Sequence, residues 1–129
     1  LRKLDFFISR RRSIAKYYTE EFEENQFITT PIERSDTKHA YHLYVILVDF
    51  NRLGKSRNGV MKELRELGIG TQVLYIPVHL QPAYQGCRIP SEGLRQTEKV
   101  AQEVISLPMF PELDERAFQA VIEAVRGFH

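Results

Sequence analysis

Four side chains able to donate or accept hydrogen bonds fall within ten residues: Gln72, Tyr75, His79 and Gln81, in the stretch GIGTQVLYIPVHLQP from Gly68 to Pro82. A phenol and an imidazole can orient a polar ligand or hold a proton at a chosen atom, and the two amides can fix hydroxyls or carbonyls. Tyr75 and His79 are four positions apart, but Pro77 between them excludes a regular helix. Both therefore fall at the end of an extended segment and on the loop after it, where binding residues concentrate. Residue types alone also fit a plainer account, with Tyr75 a core ring and His79 a surface residue.

Other combinations carry less. Cys87 with His79 suggests a thiol nucleophile, because a nearby imidazole lowers a thiol pKa, but no acid stands where it would orient the pair. No catalytic residue is assigned. His39, His42, His79 and His129 lack ligand spacing and one cysteine does not complete a set, so no metal site is expected. Gly68 and Gly70 follow a helix and precede an extended run, the reverse of a nucleotide-binding turn, and read as a helix stop. Arg10, Arg11 and Arg12 point in different directions on a helix, which suggests a solvated face with one arginine snorkelling.

The elements that position these residues follow from periodicity. Leu4, Phe7, Ile8, Ala15, Tyr18 and Phe22 recur at helical spacing, interrupted by Arg11, and predict a long opening helix. The polar stretch from Thr29 to Lys38 is a connector. HLYVILVDF, His42 to Phe50, is apolar and β-branched enough for a central strand. Val60, Met61, Leu64 and Leu67 mark a helix ended by Gly68, and TQVLYI should be a strand. Leu94–Ile105 predicts a helix, SLPMFP a short extended piece, and Phe118, Val121, Ile122 and Val125 a last helix. The fold class is α/β (α+β), a small sheet packed with helices.

The chain has 129 residues, one domain's length, and can bury roughly two-thirds of its unfolded surface. Hydrophobic residues at 43% and charged residues at 27% exclude a disordered or fibrous class. A net charge of +1 gives no broad attraction for nucleic acid. No apolar run reaches the roughly 20 residues of a membrane span, and the single cysteine suits a reducing compartment, so a cytoplasmic location is expected. Helical patterning is already under way at Leu1, and the chain is expected to be a piece of a longer one.

AYHLYVILVD, LRELGIGTQVLYIPVHLQPAY and SLPMFPEL, in this order, resemble the C-terminal small domain of the DegT/DnrJ/EryC1/StrS family of pyridoxal-phosphate sugar aminotransferases, of fold type I. LDFFISRRRSIAKYYTEEF resembles the long helix leading into that domain, so residues 1–25 would form the linking helix and 40–129 the small α/β domain. The loop sequence is nearest the branch acting on UDP-linked 4-keto-6-deoxy-N-acetylhexosamines. By this resemblance Tyr75, His79 and Gln81 contact the sugar, although Leu74 stands where many relatives have His. Pyridoxal phosphate, its aldimine lysine and the acid facing its ring nitrogen would lie in an N-terminal domain outside this chain, so no cofactor-binding residue is expected here and the isolated chain should be inactive. The whole protein would be a homodimer that takes an amino group from an amino acid, usually glutamate, and gives it to a nucleotide-linked keto sugar. Two other readings stand: a dehydratase of the same family, and a non-catalytic α/β binding or interaction module.

Overall fold

The computed structural model describes residues 2–129. Its elements are α1 (Leu4–Phe22), β1 (Ile28–Thr29), β2 (Tyr44–Val48), α2 (Phe50–Leu53), α3 (Arg57–Glu66), α4 (Arg95–Glu103), β3 (Val104–Leu107) and α5 (Glu115–Arg126). One-turn 3-10 helices at Val78–Leu80 and Pro82–Tyr84 shape the loop before α4. No described helix is long and apolar enough to cross a membrane.

The strands form one antiparallel sheet in the order β1-β2-β3. Pairing Tyr44 with Leu107 and Ile46 with Ile105 places these four side chains on one face, where all are buried. They join Ile14, Ala15, Tyr18 and Phe22 of α1 and Phe118, Val121, Ile122 and Val125 of α5 in a single core. Tyr18 is its aromatic centre. Its ring lies 5.0 Å from both Tyr44 and Phe118 and 5.5 Å from Phe22, and its hydroxyl donates to the Pro108 carbonyl at 3.1 Å. One residue thereby joins α1, β2, α5 and the turn after β3.

Sequence expectations fail where local patterns meet. β2 stops at Val48 because Asp49 caps α2, its side chain accepting from the Arg52 amide at 3.1 Å. The polar connector hides β1, and TQVLYI is not a strand: only Gln72 bridges, to Ser106. α4 runs without a loop into β3, so the predicted helix over 94–105 is two elements and the extended piece begins at Val104. Gly68, at φ +80°, does end α3, in the left-handed region that glycine enters without strain.

The arginine run is not a solvated face. Arg10 donates to the Leu113 carbonyl at 3.2 Å, and Arg12 forks onto Glu33 at 2.6 and 3.0 Å. That fork and the His39 amide hold the Glu33 carboxyl below the usual carboxylate range. One nitrogen of Arg11 reaches three carbonyls, of Tyr41 (3.1 Å), His42 (2.8 Å) and Met109 (3.2 Å). These contacts brace Tyr41 at φ +45°, a conformation costing a non-glycine residue about 1–2 kcal/mol.

Two expected outcomes follow. Charge-assisted bonds contribute about 1.5–3 kcal/mol each way they are broken, whereas exposed ion pairs contribute about 0–1 kcal/mol. Urea denaturation should therefore show Arg11→Gln costing more than Arg34→Gln, which loses only the exposed Arg34–Asp36 pair; equal losses would remove Arg11 from the role given to it. Burial also pushes the Tyr44 phenol up to about 12, despite the opposing Thr19 hydrogen bond, and raises Tyr18 too. A raised folded-state value makes this stabilisation complete below pH ~10, the ordinary phenol range, and lost as pH climbs through it toward 12. Stability measured from pH 9 to 12 should fall with rising pH, and Tyr44→Phe should flatten that fall.

Candidate functional site

The loop that carries Tyr75 and His79 is fixed at its start by the end of α3. The Ile69 amide donates to the Leu64 carbonyl at 2.8 Å, and the Ile69 side chain is buried. The chain then runs beside β3 for one rung, Ser106 donating to the Gln72 carbonyl at 2.8 Å and Gln72 returning at 3.3 Å. Beyond it the backbone leaves the sheet, and Pro77 opens the first 3-10 turn. Gln72 is thus a sheet-edge residue through its backbone.

Tyr75 is 74% exposed, so it is not a core ring. It lies along an apolar cleft of about 420 Å³ whose walls include Pro77 and, from α4, Thr97, Val100 and Ala101. His79 approaches the same helix differently. Its side chain is only 13% exposed, and Nε2 lies 3.0 Å from a carboxylate oxygen of Glu98. Gln81 turns its amide back onto the loop, donating to the Ile76 carbonyl at 3.3 Å. α4 is itself anchored, because Arg57 of α3 donates to the Ala101 carbonyl.

Tyr75 and His79 therefore share α4 as a floor, while Gln81 braces the loop that spans them. An exposed phenol over an apolar shelf suits a ring-shaped polar ligand with an apolar face, and His79, with one nitrogen occupied, lies on the same loop. A second cavity of about 790 Å³ lies between residues 67–74, the end of β3 and α5, and has neither Tyr75 nor His79 on its wall. Leu74 is common to both. The buried Ser106 hydroxyl, without a hydrogen-bond partner among the described residues, belongs to the larger one.

Glu98 is the site residue that sequence reasoning missed. It is 19 positions from His79, and the fold alone brings them together. Nothing in the local pattern marks it, since one acid in a helix rich in polar residues reads as surface. Cys87 is exposed. No group of three or more His, Cys, Asp or Glu able to hold a metal occurs among the described residues.

The sequence profile of the DegT/DnrJ/EryC1/StrS aminotransferase family matches residues 1–126. The chain is 37% identical over 127 residues to the uncharacterized protein MJ1066 of Methanocaldococcus jannaschii, covering 98% of this chain and 33% of that protein. It is 35% identical over 132 residues to the spore coat polysaccharide biosynthesis protein SpsC of Bacillus subtilis, again covering 98% and 33%. The crystal structure of S. venezuelae DesV in complex with a ketimine intermediate matches at a TM-score of 0.87 and 33% identity, over 98% of this chain and 33% of that one. The chain thus spans about a third of the length of these relatives.

Residues 82–92 are exposed throughout, and their backbone bonds are local, Cys87 to the Tyr84 carbonyl and Gly93 to that of Pro90. Limited trypsin digestion should cut first after Arg88, which mass spectrometry of the early products would identify. A first cut at Arg10, Arg11 or Arg12 would contradict the bracing described above.

Proposed function

Because the chain belongs to the DegT/DnrJ/EryC1/StrS aminotransferase family, we propose that it is the C-terminal domain of an enzyme that aminates a nucleotide-linked 4-keto-6-deoxy sugar for polysaccharide or surface-sugar biosynthesis. In that enzyme, a cytoplasmic homodimer, the segment 1–25 that carries α1 (Leu4–Phe22) serves as the link and residues 40–129 as the small domain. The name of SpsC and the ketimine in DesV support the sugar pathway and the amine chemistry. The observation that carries the site is the placement of Tyr75 and His79 against one helix, α4, the first exposed and the second held by Glu98.

Pyridoxal phosphate takes an amino group from one substrate and passes it to another. The cleft beside Tyr75 offers no covalent site for it. No lysine stands on the wall of that cleft or of the 790 Å³ cavity, while Lys16 and Lys38 line a separate cleft of about 810 Å³ beside α1. Lys16, Lys62 and Lys99 lie on helix surfaces paired with Glu20, Glu66 and Glu103, and Lys55 with Glu63. The cofactor and its lysine are assigned to the part of the protein outside this chain.

This chain's share is recognition. The Tyr75 ring offers a flat apolar face, and its hydroxyl is free to bond a sugar oxygen. His79 offers its second ring nitrogen. Gln81 keeps its carbonyl oxygen available after its amide has bonded the loop. The half-reaction with the amino donor, glutamate by the family resemblance, depends less on these groups.

In the full-length enzyme, His79→Ala and Tyr75→Phe should impair the half-reaction with the keto sugar more than that with glutamate. A lost neutral hydrogen bond costs about 0.5–1.5 kcal/mol and an unpaired buried partner about 1–3, so kcat/KM for the sugar should fall between a few-fold and a few-hundred-fold. Single-turnover absorbance of the cofactor, with glutamate and then the keto sugar added, separates the two. Equal loss in both would move these residues to the cofactor side, and no loss in either would end their assignment to the site.

A further inference from the structure

The two nitrogens of His79 have different surroundings. Nε2 is 3.0 Å from Glu98, and an ionised carboxylate only accepts, so the shared proton belongs to Nε2. In the neutral ring Nδ1 then holds the lone pair. Nδ1 has no hydrogen-bond partner among the described residues and is not fully buried. Glu98 is not shared with the neighbouring cation, since Lys99 pairs with Glu103. The helix below is pinned by Arg57 at Ala101, so Glu98 is presented from a fixed support.

We propose that Glu98 is a positioning residue: it fixes the His79 ring and its Nε2–H tautomer, so that Nδ1 accepts a hydrogen bond from a hydroxyl or N–H of the sugar. This rests on the reading that His79 faces the sugar. Without Glu98 the ring can rotate and take either tautomer, and only one of the resulting arrangements presents an acceptor at the required place. The same logic governs histidines elsewhere, where the partner of one ring nitrogen sets what the other can do. Specificity follows from it. An acceptor fixed at this point favours a sugar with a donor opposite and disfavours one with a carbonyl or ether oxygen there, which would leave Nδ1 facing another lone pair.

The test uses the full-length enzyme with a UDP-linked 4-keto-6-deoxy-N-acetylhexosamine as probe, and compares wild type with Glu98→Ala, Glu98→Gln, His79→Ala and the double variant His79→Ala/Glu98→Ala. Glu98→Ala should lower kcat/KM in the sugar half-reaction by about 5- to 50-fold and change the glutamate half-reaction less than about twofold, whereas Glu98→Gln, whose amide oxygen can still accept from Nε2–H, should retain more of the sugar activity. In the His79→Ala background the Glu98 change should add less than about twofold, because its effect passes through the ring. Nitrogen NMR of labelled histidine in the same enzymes should show Nε2 protonated and Nδ1 unprotonated in the wild type, and a tautomer mixture in Glu98→Ala. A purely structural role would slow both half-reactions together and would overturn the proposal, as would full additivity in the double variant. If His79→Ala impairs the sugar step but Glu98→Ala does not, the positioning role fails and the sugar-facing site stands. If His79→Ala leaves the sugar step untouched, the site reading itself fails.

Discussion

One nitrogen of Arg11 holds three backbone carbonyls that the chain supplies from two places, Tyr41 and His42 before β2 and Met109 after β3. Two hydrogens serve three acceptors, so at least one bond is shared between two carbonyls. Arg10 and Arg12 extend the hold to Leu113 and Glu33. All three arise from one turn of α1, so the helix acts as a clamp across segments that the sheet alone leaves loose. β2 and β3 enter and leave the sheet beside this clamp, and their pairing puts Tyr44 and Leu107 where Tyr18 can pack. The core and the clamp lie on the same helix, which is why the fold tolerates so small a sheet.

Helices with apolar stripes are legible in the sequence. α1, α3 and α5 appear where periodicity places them, with Ala15, Tyr18, Phe22, Val60, Leu64, Phe118 and Val125 inside. β1 was hidden because two residues carry no period, and it exists only because Ile28 and Thr29 pair with β2. The division between α4 and β3 was hidden for another reason. Val104 and Ile105 continue the apolar run of the helix, and the change to extended backbone is set by pairing with Leu47 and Ile46. The arginine run was misread because three adjacent charges in sequence give no hint that carbonyls of distant loops will arrive around them.

The candidate site divides in the same way. Pro77 marks the turn, but the irregular segment begins before it, since TQVLYI is not a strand, and Tyr75 and His79 both emerge on that segment against one helix. What the sequence could not contain is the difference between them. The phenol is exposed and the imidazole largely covered, a distinction created by α4 rising beneath His79 and not by anything within the loop. Glu98 is informative only once that helix is in place, since a carboxylate on a polar helix otherwise belongs to solvent.

The loop also presents Ile76, Val78, Leu80 and Tyr84 to the outside together with Tyr75. Apolar residues scattered singly over a surface mean little, but five within ten positions make a patch of the kind that marks a contact. Its composition is mixed in a particular way: apolar side chains alternate with His79 and Gln81, both of which are tied down by hydrogen bonds rather than free to rotate. A surface meant only for packing would gain nothing from fixing its polar groups, whereas a surface that must discriminate among hydroxyls needs them immobile before the ligand arrives. The restraint on His79 and Gln81, more than the apolar exposure around them, is the feature that suits this loop to the recognition role proposed for it.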